Sequence, residues 1–301
     1  MPDDGAVAST ATAPRTVGAL VSAMATMLEP SVGDDALREA RELLAALHDM
    51  PRHWPTVEQA QRLGEEDWAR ALRAATRRAR GAPMQYAAGQ TAFRHLTLDV
   101  DERVLIPRPE TEQLVDLVLD GLRDHPGGIV VDVGTGSGAI AIALASEGRA
   151  EHVIGTDVSL DALTVARANV ARCARVLRAP VELRAGSLLD AVHERPLRAV
   201  VSNPPYISWD ERDALPTSVR DWEPAVALFS GADGMATTAR LIREAGAALE
   251  AGGMLALEVD MRRASVAAEL VATDGAYVQV QVVLDLTGRE RFVVARRRGV
   301  E

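Results

Sequence analysis

The residues best suited to take part in a reaction are Asn203-Pro204-Pro205-Tyr206, which follow the apolar run Ala199-Val200-Val201. Each proline removes a backbone N–H and fixes φ, and Pro205 also favours an extended conformation at Pro204, so the segment is stiff. Asn203 supplies a side-chain amide oxygen, and Pro204 supplies a carbonyl oxygen that cannot be engaged in a helical hydrogen bond. Two acceptors on a rigid loop can hold the NH2 of an amide or of a base amine while Tyr206 packs against its plane. These four residues alone fit a strand-ending turn equally well, because Asn and Pro are ordinary turn residues.

A second candidate site lies upstream, in Gly134-Thr135-Gly136-Ser137-Gly138. These residues stand between a predicted strand, Ile129 to Val133, and a predicted helix, where glycines let backbone N–H groups approach a ligand closely. Asp157 ends the next predicted strand, at the distance where an acidic residue accepts hydrogen bonds from ribose hydroxyls. The pattern predicts a cofactor that contains a nucleoside. It also satisfies the Gly-x-Gly-x-x-Ala dinucleotide fingerprint, so a nicotinamide cofactor stays open on these residues.

The elements that must position both sites alternate between strand and helix from Ile129 onward, which is typical of a mainly parallel sheet. The predicted strands are Ile129 to Val133, Val153 to Thr156, Val181 to Arg184, Arg198 to Ser202 and Met254 to Val259, followed by a terminal pair, Tyr277 to Leu284 and Glu290 to Arg296. Ligands of such sheets bind beyond the carboxyl ends of the strands, beside the switch point. We therefore expect the glycine loop and the Asn203 loop to face one crevice. A cofactor beside a loop that holds NH2 favours transfer to nitrogen, and S-adenosylmethionine fits that task, whereas hydride transfer gives the loop no role.

Upstream of this sheet the sequence predicts helices and then a hairpin. Asp34 or Asp35 is expected to cap one helix, and Glu65 to Arg80 form a second amphipathic helix. Trp68, Leu72, Ala75 and Ala79 are expected on its apolar face, and Arg70, Arg73, Arg77 and Arg80 on the opposite one. That arginine stripe is either a solvated face or a docking surface. Phe93 to Val100 and Arg103 to Ile106 are predicted as two short strands around an acidic turn, and Thr111 to Leu122 as a helix.

Composition narrows the possible functions of the 301 residues. The net charge of −10 argues against nonspecific binding of nucleic acid, which depends on cationic contacts to phosphate, and we expect no stable nucleic-acid binding. All 33 basic residues are arginine, which excludes Schiff-base lysines, the P-loop lysine and the Tyr-Lys pair of short-chain dehydrogenases. The single cysteine, Cys173, is expected to be a packed helix residue, and no metal site is predicted. Without a signal peptide or a membrane span, the sequence predicts a cytoplasmic protein with a flexible tail at 1–16.

The chain resembles the release factor glutamine methyltransferases, the PrmC/HemK family, from about Gly81 to Arg296. The resemblance rests on four motifs, which are Leu105-Ile106-Pro107-Arg108-Pro109-Glu110-Thr111-Glu112, Asp132-Val133-Gly134-Thr135-Gly136-Ser137-Gly138, Val201-Ser202-Asn203-Pro204-Pro205-Tyr206-Ile207 and Val219-Arg220-Asp221-Trp222-Glu223-Pro224. The Asn-Pro-Pro-Tyr loop is shared with adenine-N6 DNA methyltransferases, whereas the Ile-Pro-Arg-Pro-Glu-Thr-Glu stretch is far more specific to this family.

The resemblance implies N5-methylation, from S-adenosylmethionine, of the glutamine in the Gly-Gly-Gln motif of class I peptide chain release factors. The implied fold is α/β, a Rossmann-like seven-stranded, mainly parallel sheet with a small helical N-terminal domain and a β-hairpin linker. On this basis we expect a tail at 1–16, a helical substrate-docking domain at 17–90, a linker at 91–110 and a methyltransferase domain at 111–301.

The site residues carry over from the family unevenly. Gly134, Thr135, Gly136, Ser137, Gly138 and Asp157 match its cofactor positions, and Asn203, Pro204, Pro205 and Tyr206 match its glutamine-binding loop, with Asn203 also close to the cofactor. We expect Asn203, Pro204 and Tyr206 to act in catalysis. Ser187 and Leu188 stand where the family often has an acidic residue followed by an apolar or aromatic one near adenine. Leu188 is retained as a cofactor residue, whereas Ser187 departs from the pattern, as does the segment 258–263 after the fifth strand.

Two other functions share part of this pattern. An adenine-N6 nucleic-acid methyltransferase would use the same loop, but the chain is acidic and has no large target-recognition domain. A nucleotide-binding regulator without catalysis would keep the glycine loop, but it would have no need of Asn203 and Tyr206.

Overall fold

The structure is a computed structural model that describes residues 15–299, so the tail predicted at 1–16 lies almost wholly outside the described residues. The chain divides after Ala88 into two compact units. No helix within 15–299 combines the length and the apolar character needed to cross a membrane.

The first unit is helical, and its core is made from apolar side chains at helical spacing. Its helices are α1 (Val17–Val32), α2 (Ala36–Leu47), α3 (Trp54–Val57), α4 (Glu65–Ala79) and α5 (Met84–Ala88). Asp35 precedes α2, as predicted, but its side chain makes no capping hydrogen bond. Helix α4 confirms the predicted amphipathic helix, although Ala71, Ala74 and Ala75 are its buried residues and Trp68 and Leu72 are only partly buried.

The second unit is an α/β fold. Its strands are β1 (Gln90–Phe93), β2 (Leu96–Asp99), β3 (Ile129–Val133), β4 (His152–Asp157), β5 (Val181–Ala185), β6 (Leu197–Ser202), β7 (Leu249–Glu258), β8 (Tyr277–Leu284) and β9 (Glu290–Arg297). Its helices are α6 (Pro109–Gly121), α7 (Ala139–Glu147), α8 (Leu160–Arg172), α9 (Thr217–Arg220), α10 (Ala225–Leu228), α11 (Ala236–Ala248) and α12 (Ala264–Thr273), with a 3-10 turn at Trp209–Ala214. Cys173 follows α8 and is buried, as predicted.

Strands β3 to β9 form one seven-stranded sheet in the order β5-β4-β3-β6-β7-β9-β8, which confirms the predicted fold. The first five are parallel, whereas β9 runs antiparallel to β7 and β8 antiparallel to β9. Alternate residues of β3 enter opposite cores, Val131 on the side of α11 and α12 and Val130 on the side of α6 and α7. Burial on both faces explains the continuous branched residues of these strands. The switch point lies between β3 and β6, as predicted.

The predicted hairpin exists, but its turn was placed wrongly. Strands β1 and β2 meet at Arg94 and His95, with Phe93 opposite Leu96. Arg94 has φ +54, a conformation that two-residue hairpin loops require at their first position. Its backbone N–H donates to Glu112 Oε1 at 2.9 Å and its guanidinium pairs with Glu147 at 2.6 Å. These long-range contacts stabilise the turn, and the local sequence pattern does not predict them.

The predicted strand from Arg103 to Ile106 is also wrong, because this segment is irregular. Val104 and Ile106 are 1% and 3% exposed, an alternation that imitates a half-buried strand. No strand pairs with it in the described part of the chain. Val104 instead closes a turn onto the Asp101 carbonyl at 3.1 Å.

The sequence also predicts a helix from Thr237 to Glu250 that stops at Gly252-Gly253, but α11 ends earlier than this. It stops at Ala248, and Gly252 and Gly253 lie within β7. The pairing of β6 with β7 jumps there from Leu197↔Leu249 to Ala199↔Met254. Gly252 has φ +78, so the glycines serve an irregularity in the strand and not a helix end.

Candidate active site

A cavity of about 430 Å³ opens at the switch point of the sheet. Val133 pairs with Ser202 in the parallel register, so the residues that follow them, Gly134 and Asn203, emerge side by side. Arg103, Val104 and Leu105 form part of the wall, which gives the irregular segment a role in the site. The sequence therefore predicted correctly that the glycine loop and the Asn203 loop share one crevice.

Gly134 and Gly136 line this cavity with their backbones. Both have positive φ, +71 and +54, and a Cβ atom built on Gly134 would meet no heavy atom within 4 Å. A side chain at Gly134 would therefore project into open space that the cavity offers to a ligand. A loop with this geometry suits close approach of a ligand to backbone N–H groups.

The other three residues of the glycine loop do not line the cavity. Thr135 donates its hydroxyl proton to Asp132 Oδ2 at 2.6 Å, and the Ser137 carbonyl accepts from Asn169 Nδ2 at 2.9 Å. Gly138 has φ +84, and a Cβ there would stand 3.2 Å from Ile142 Cδ1. These residues hold the shape of the loop.

The sequence predicts no role in the site for Asp132, because it lies within β3 and its carboxylate points into the protein. It is fully buried, and burial raises its pKa to about 7. Oδ2 accepts from Thr135 and from the Ala141 backbone N–H, whereas Oδ1 has no hydrogen-bond partner among the described residues. The buried carboxyl group of the Asp-Val-Gly motif thus anchors the glycine loop to the end of β3 and to the start of α7.

Asp157 lines the cavity at the end of β4, where the sequence placed it. Its Oδ2 accepts from the Gly136 backbone N–H at 2.9 Å and its Oδ1 from Ser159 N at 2.8 Å. Burial raises its pKa, while these backbone donors oppose the shift. The backbone N–H of Val158 favours the carboxylate as well, and these three donors leave about one of its four acceptor sites for a ligand hydroxyl. Asp157 therefore shapes the glycine loop in addition to its predicted role toward ribose.

Asn203, Pro204 and Pro205 line the cavity beside the glycine loop. Asn203 Nδ2 donates to Thr111 Oγ1 at 3.3 Å. Within residues 15–299, neither Asn203 Oδ1 nor the Pro204 carbonyl oxygen accepts a hydrogen bond. Tyr206 does not line the cavity, and burial and the carboxylate of Glu258 raise its pKa to about 12. Its expected packing against a substrate stays a prediction.

Ser187 and Leu188 line another part of the wall, together with Arg240. Arg240 donates to Ser187 Oγ at 3.0 Å and pairs with Asp190 at 3.1 Å. Asp190, three residues after Ser187, is paired with this arginine and does not itself line the cavity. Leu188 has φ +50, and its carbonyl accepts from the Thr156 hydroxyl at 2.8 Å.

A buried ion pair joins two of the four motifs singled out in the sequence. Arg108 Nη2 donates to both oxygens of Glu223, at 2.8 and 2.6 Å, and the Glu223 side chain is 1% exposed. Burial raises the pKa of Glu223, and Arg108 opposes that shift. The pair holds the segment that continues into Pro224 and Val226, both of which line the cavity. The partners are 115 positions apart in the sequence, so sequence reasoning had no signal for this pair.

We expect Arg108→Ala to destabilise the fold by about 1–2 kcal/mol, since removing one partner of a buried pair costs about 3–5 kcal/mol and Arg108 is partly exposed. The loss should be larger at pH 8 than at pH 5.5, because burial without Arg108 raises the pKa of Glu223 further, and a larger fraction of the abandoned carboxyl is then neutral at the lower pH. Urea unfolding at both pH values measures this. The double variant Arg108→Met/Glu223→Gln should recover most of the loss, and an equal loss at both pH values would contradict the assignment.

Comparison with known proteins places this site in a family. Residues 20–89 match the PrmC N-terminal domain, and residues 111–215 match the methyltransferase small domain. A release factor glutamine methyltransferase of Deinococcus radiodurans is 40% identical over 261 residues, covering 87% of this chain and 91% of the relative. The chain belongs to the release factor glutamine methyltransferase family. A second member, from Cereibacter sphaeroides, is 39% identical over 263 residues, with 87% and 92% covered.

A solved structure supports the fold assignment of this family member. A methyltransferase from Pyrococcus furiosus superimposes with a TM-score of 0.51 at 19% identity, over 79% of this chain and all of that one. As a member of this family, the chain is an S-adenosylmethionine-dependent methyltransferase, and the superposition shows its fold. Gly134, Gly136 and Asp157 would hold the cofactor, because their open backbone and free acceptor positions face the cavity.

Proposed function

We propose that this enzyme methylates the side-chain amide nitrogen of the glutamine in the Gly-Gly-Gln motif of class I peptide chain release factors. The observation that carries the proposal is the pair of uncommitted acceptors, Asn203 Oδ1 and the Pro204 carbonyl oxygen, beside the glycine loop. The family of the chain supplies the identity of the substrate. Release factors act at the ribosome, so we place the reaction in the cytoplasm, in support of translation termination.

The chemistry requires a weak nucleophile to be aligned. When bound, S-adenosylmethionine supplies a methyl group on a positively charged sulphur, which becomes a neutral thioether as the glutamine nitrogen takes the methyl. The lone pair of that nitrogen is delocalised into the carbonyl. Asn203 and Pro204 would each accept one of its N–H bonds, which orients the nitrogen and favours pyramidal geometry as positive charge develops. Alignment of this kind can contribute about 7–11 kcal/mol in well-oriented intramolecular reactions.

No ionised base needs to act before methyl transfer. The amide nitrogen becomes acidic only after it gains the methyl group, and its extra proton can then leave to water. Asn203 is an amide and cannot take that proton permanently, which fits a role in alignment. Pro204 and Pro205 remove two backbone N–H groups beside the substrate, so no main-chain donor of these residues opposes the substrate's own donors.

The test incubates the enzyme with methyl-labelled S-adenosylmethionine and one of three acceptors. A wild-type release factor should take up one methyl group, which mass spectrometry places on the motif glutamine. A release factor with glutamate in place of that glutamine lacks the amide nitrogen and should remain unlabelled. Adenine-containing DNA is the third acceptor, and its preferential labelling would overturn the proposal in favour of a nucleic-acid methyltransferase.

We also propose that the helical unit docks the release factor through the arginine face of α4. Arg70 already donates to the Leu47 carbonyl at 2.8 Å, whereas Arg73 and Arg80 are exposed and suit contact with an acidic partner. Reversing both charges in Arg73→Glu/Arg80→Glu should raise KM for the whole release factor about tenfold and leave kcat unchanged, the result expected when about 1.4 kcal/mol of docking energy is lost. A short Gly-Gly-Gln peptide serves as the control and should show no change. An unchanged KM for the whole release factor would mean that this arginine face is only solvated and does not dock the substrate.

A further inference from the structure

A chain of hydrogen bonds leads away from Asn203 into the protein. Asn203 Nδ2 donates to Thr111 Oγ1 at 3.3 Å, and Thr111 Oγ1 donates to Glu258 Oε2 at 2.7 Å. Thr111 lies in the first turn of α6 and is 4% exposed, and Glu258 is the last residue of β7 and is 1% exposed. Three elements far apart in sequence therefore meet at one side-chain amide.

The number of protons available fixes which group donates and which accepts in this series of hydrogen bonds. A hydroxyl group carries one proton, and an ionised carboxylate can only accept. The Thr111 proton is therefore committed to Glu258, and Thr111 Oγ1 can face Asn203 only as an acceptor. Asn203 must then turn its NH2 toward Thr111. This argument does not depend on distinguishing amide N from O by shape, which the two groups share.

The opposite orientation of Asn203 would defeat catalysis. A flipped amide would present two N–H donors to the cavity, where the substrate amide also presents N–H donors. Facing donors leave buried polar groups unpaired, which is the costly case in hydrogen bonding. We propose that Thr111 and Glu258 are positioning residues that lock the Asn203 amide with Oδ1 toward the substrate. This inference rests on the proposed function, because it concerns how the loop receives an NH2 group.

The charges around Glu258 set the pH range in which the lock holds. Arg108 and Arg291 favour the carboxylate, Glu110 opposes it, and the Tyr206 phenol stays neutral nearby. Burial is the largest influence and raises the pKa of Glu258 to about 7. Below that pH the protonated carboxyl can itself donate to Thr111 Oγ1, which frees the Thr111 proton for Asn203 Oδ1. The lock is therefore strongest well above pH 7 and is lost as pH falls through this value.

The decisive experiment measures single-turnover methylation by variants of Thr111 in the wild-type and Asn203→Ala backgrounds. Thr111→Val removes the hydroxyl with little change in shape and should lower the rate at least tenfold, whereas Thr111→Ser keeps the hydroxyl and should stay within threefold. Calorimetric binding of S-adenosylhomocysteine should change less than twofold in both. In an Asn203→Ala background, Thr111→Val should have no further effect. An equal loss in both backgrounds would overturn the lock, because independent sites contribute additively.

A second measurement keeps the test valid if Thr111→Val fails to fold. Glu258→Gln cannot titrate, so its rate should lack the fall that the wild type shows between pH 8 and pH 6. Its melting temperature at pH 8 should equal or exceed that of the wild type, because the native site disfavours the buried charge. A Glu258→Gln profile that matches the wild-type profile would contradict the assignment.

Failure of the lock and failure of the proposed function give different results. A wild-type enzyme that leaves the release factor unlabelled counts against the function. The lock is then tested without substrate, by NMR of the Asn203 side-chain NH2, whose hydrogen exchange should be slow in the wild type and in Thr111→Ser. Exchange that is fast in the wild type would overturn the lock.

Discussion

Replacement of Asn203 with alanine should lower the single-turnover rate of release-factor methylation by about 10²–10³, the loss typical for one preorganised polar contact at a reacting group. The variant keeps Pro204 and Pro205, so the stiff loop and the second acceptor remain. Cofactor binding should change little if the Asn203 side chain serves mainly the substrate. Rapid-quench kinetics with labelled cofactor, alongside calorimetry, measures both quantities. A variant that keeps more than about half of the wild-type rate would exclude the proposed alignment mechanism.

Asn203→Asp separates alignment from general-base catalysis. Aspartate has a similar size and keeps an acceptor, so an enzyme that needed a base at this position would tolerate it. We expect activity to fall instead, for two reasons. A carboxylate cannot donate to Thr111 Oγ1, whose only proton is engaged with Glu258, and a negative charge would pair with the cofactor's sulfonium and disturb the alignment. Gln113→Ala, which removes a half-buried amide of α6 that donates, among the described residues, only to the Leu284 carbonyl, is the control and should stay within twofold of the wild type.

Asp157→Ala should weaken binding of S-adenosylmethionine and S-adenosylhomocysteine by about 3 kcal/mol, or roughly 150-fold in Kd, because hydrogen bonds to a charged group contribute about 1.5–3 kcal/mol each. Two effects combine. The expected contact with ribose is lost, and the Gly136 backbone N–H loses the acceptor that holds the glycine loop in place. Asp157→Asn keeps one acceptor oxygen and should show a smaller loss.

Asp161→Ala is the matched control for this prediction. It makes the same chemical change four residues later, at an exposed position in the first turn of α8, and should leave the affinity unchanged. Calorimetry with S-adenosylhomocysteine measures all three variants. An Asp157→Ala enzyme that binds within threefold of the wild type would remove Asp157 from the cofactor site. Preferential binding of a nicotinamide dinucleotide would overturn the cofactor assignment.

The residues of the site that sequence reasoning found are those whose local pattern carries their function. Glycines between a strand and a helix, an acidic residue at the next strand end and two prolines after an asparagine each constrain the backbone where they stand. Parallel strands then bring their carboxyl ends to one edge, so the position of Gly134 beside Asn203 followed from the order of elements alone. For the same reason the strands β3 to β6 were predicted to within about two residues, which is the usual precision for element ends.

The errors occurred where a distant partner decides the conformation. The hairpin turns at Arg94 because Glu112 and Glu147 hold that residue, whereas the acidic turn that begins five residues later had the stronger local signal. The segment at 103–106 alternates like a strand but finds no strand to pair with in the described chain, and it became part of the cavity wall. In the sequence, Gly252 and Gly253 are typical of the end of a helix. In the structure they lie in β7, where its pairing with the neighbouring strand β6 is irregular.

By itself, the sequence determined the methyltransferase fold, the glycine loop with Asp157 and the rigid pair of acceptors at Asn203 and Pro204, because these depend on backbone restrictions and on strand order. Only the tertiary structure decided which way the Asn203 amide faces and what holds the cavity walls. Thr111 and Glu258 are 147 residues apart, and Arg108 and Glu223 are 115 apart. A hydrogen bond between side chains has no periodicity along the chain, so its partners are known only once folding has buried them together.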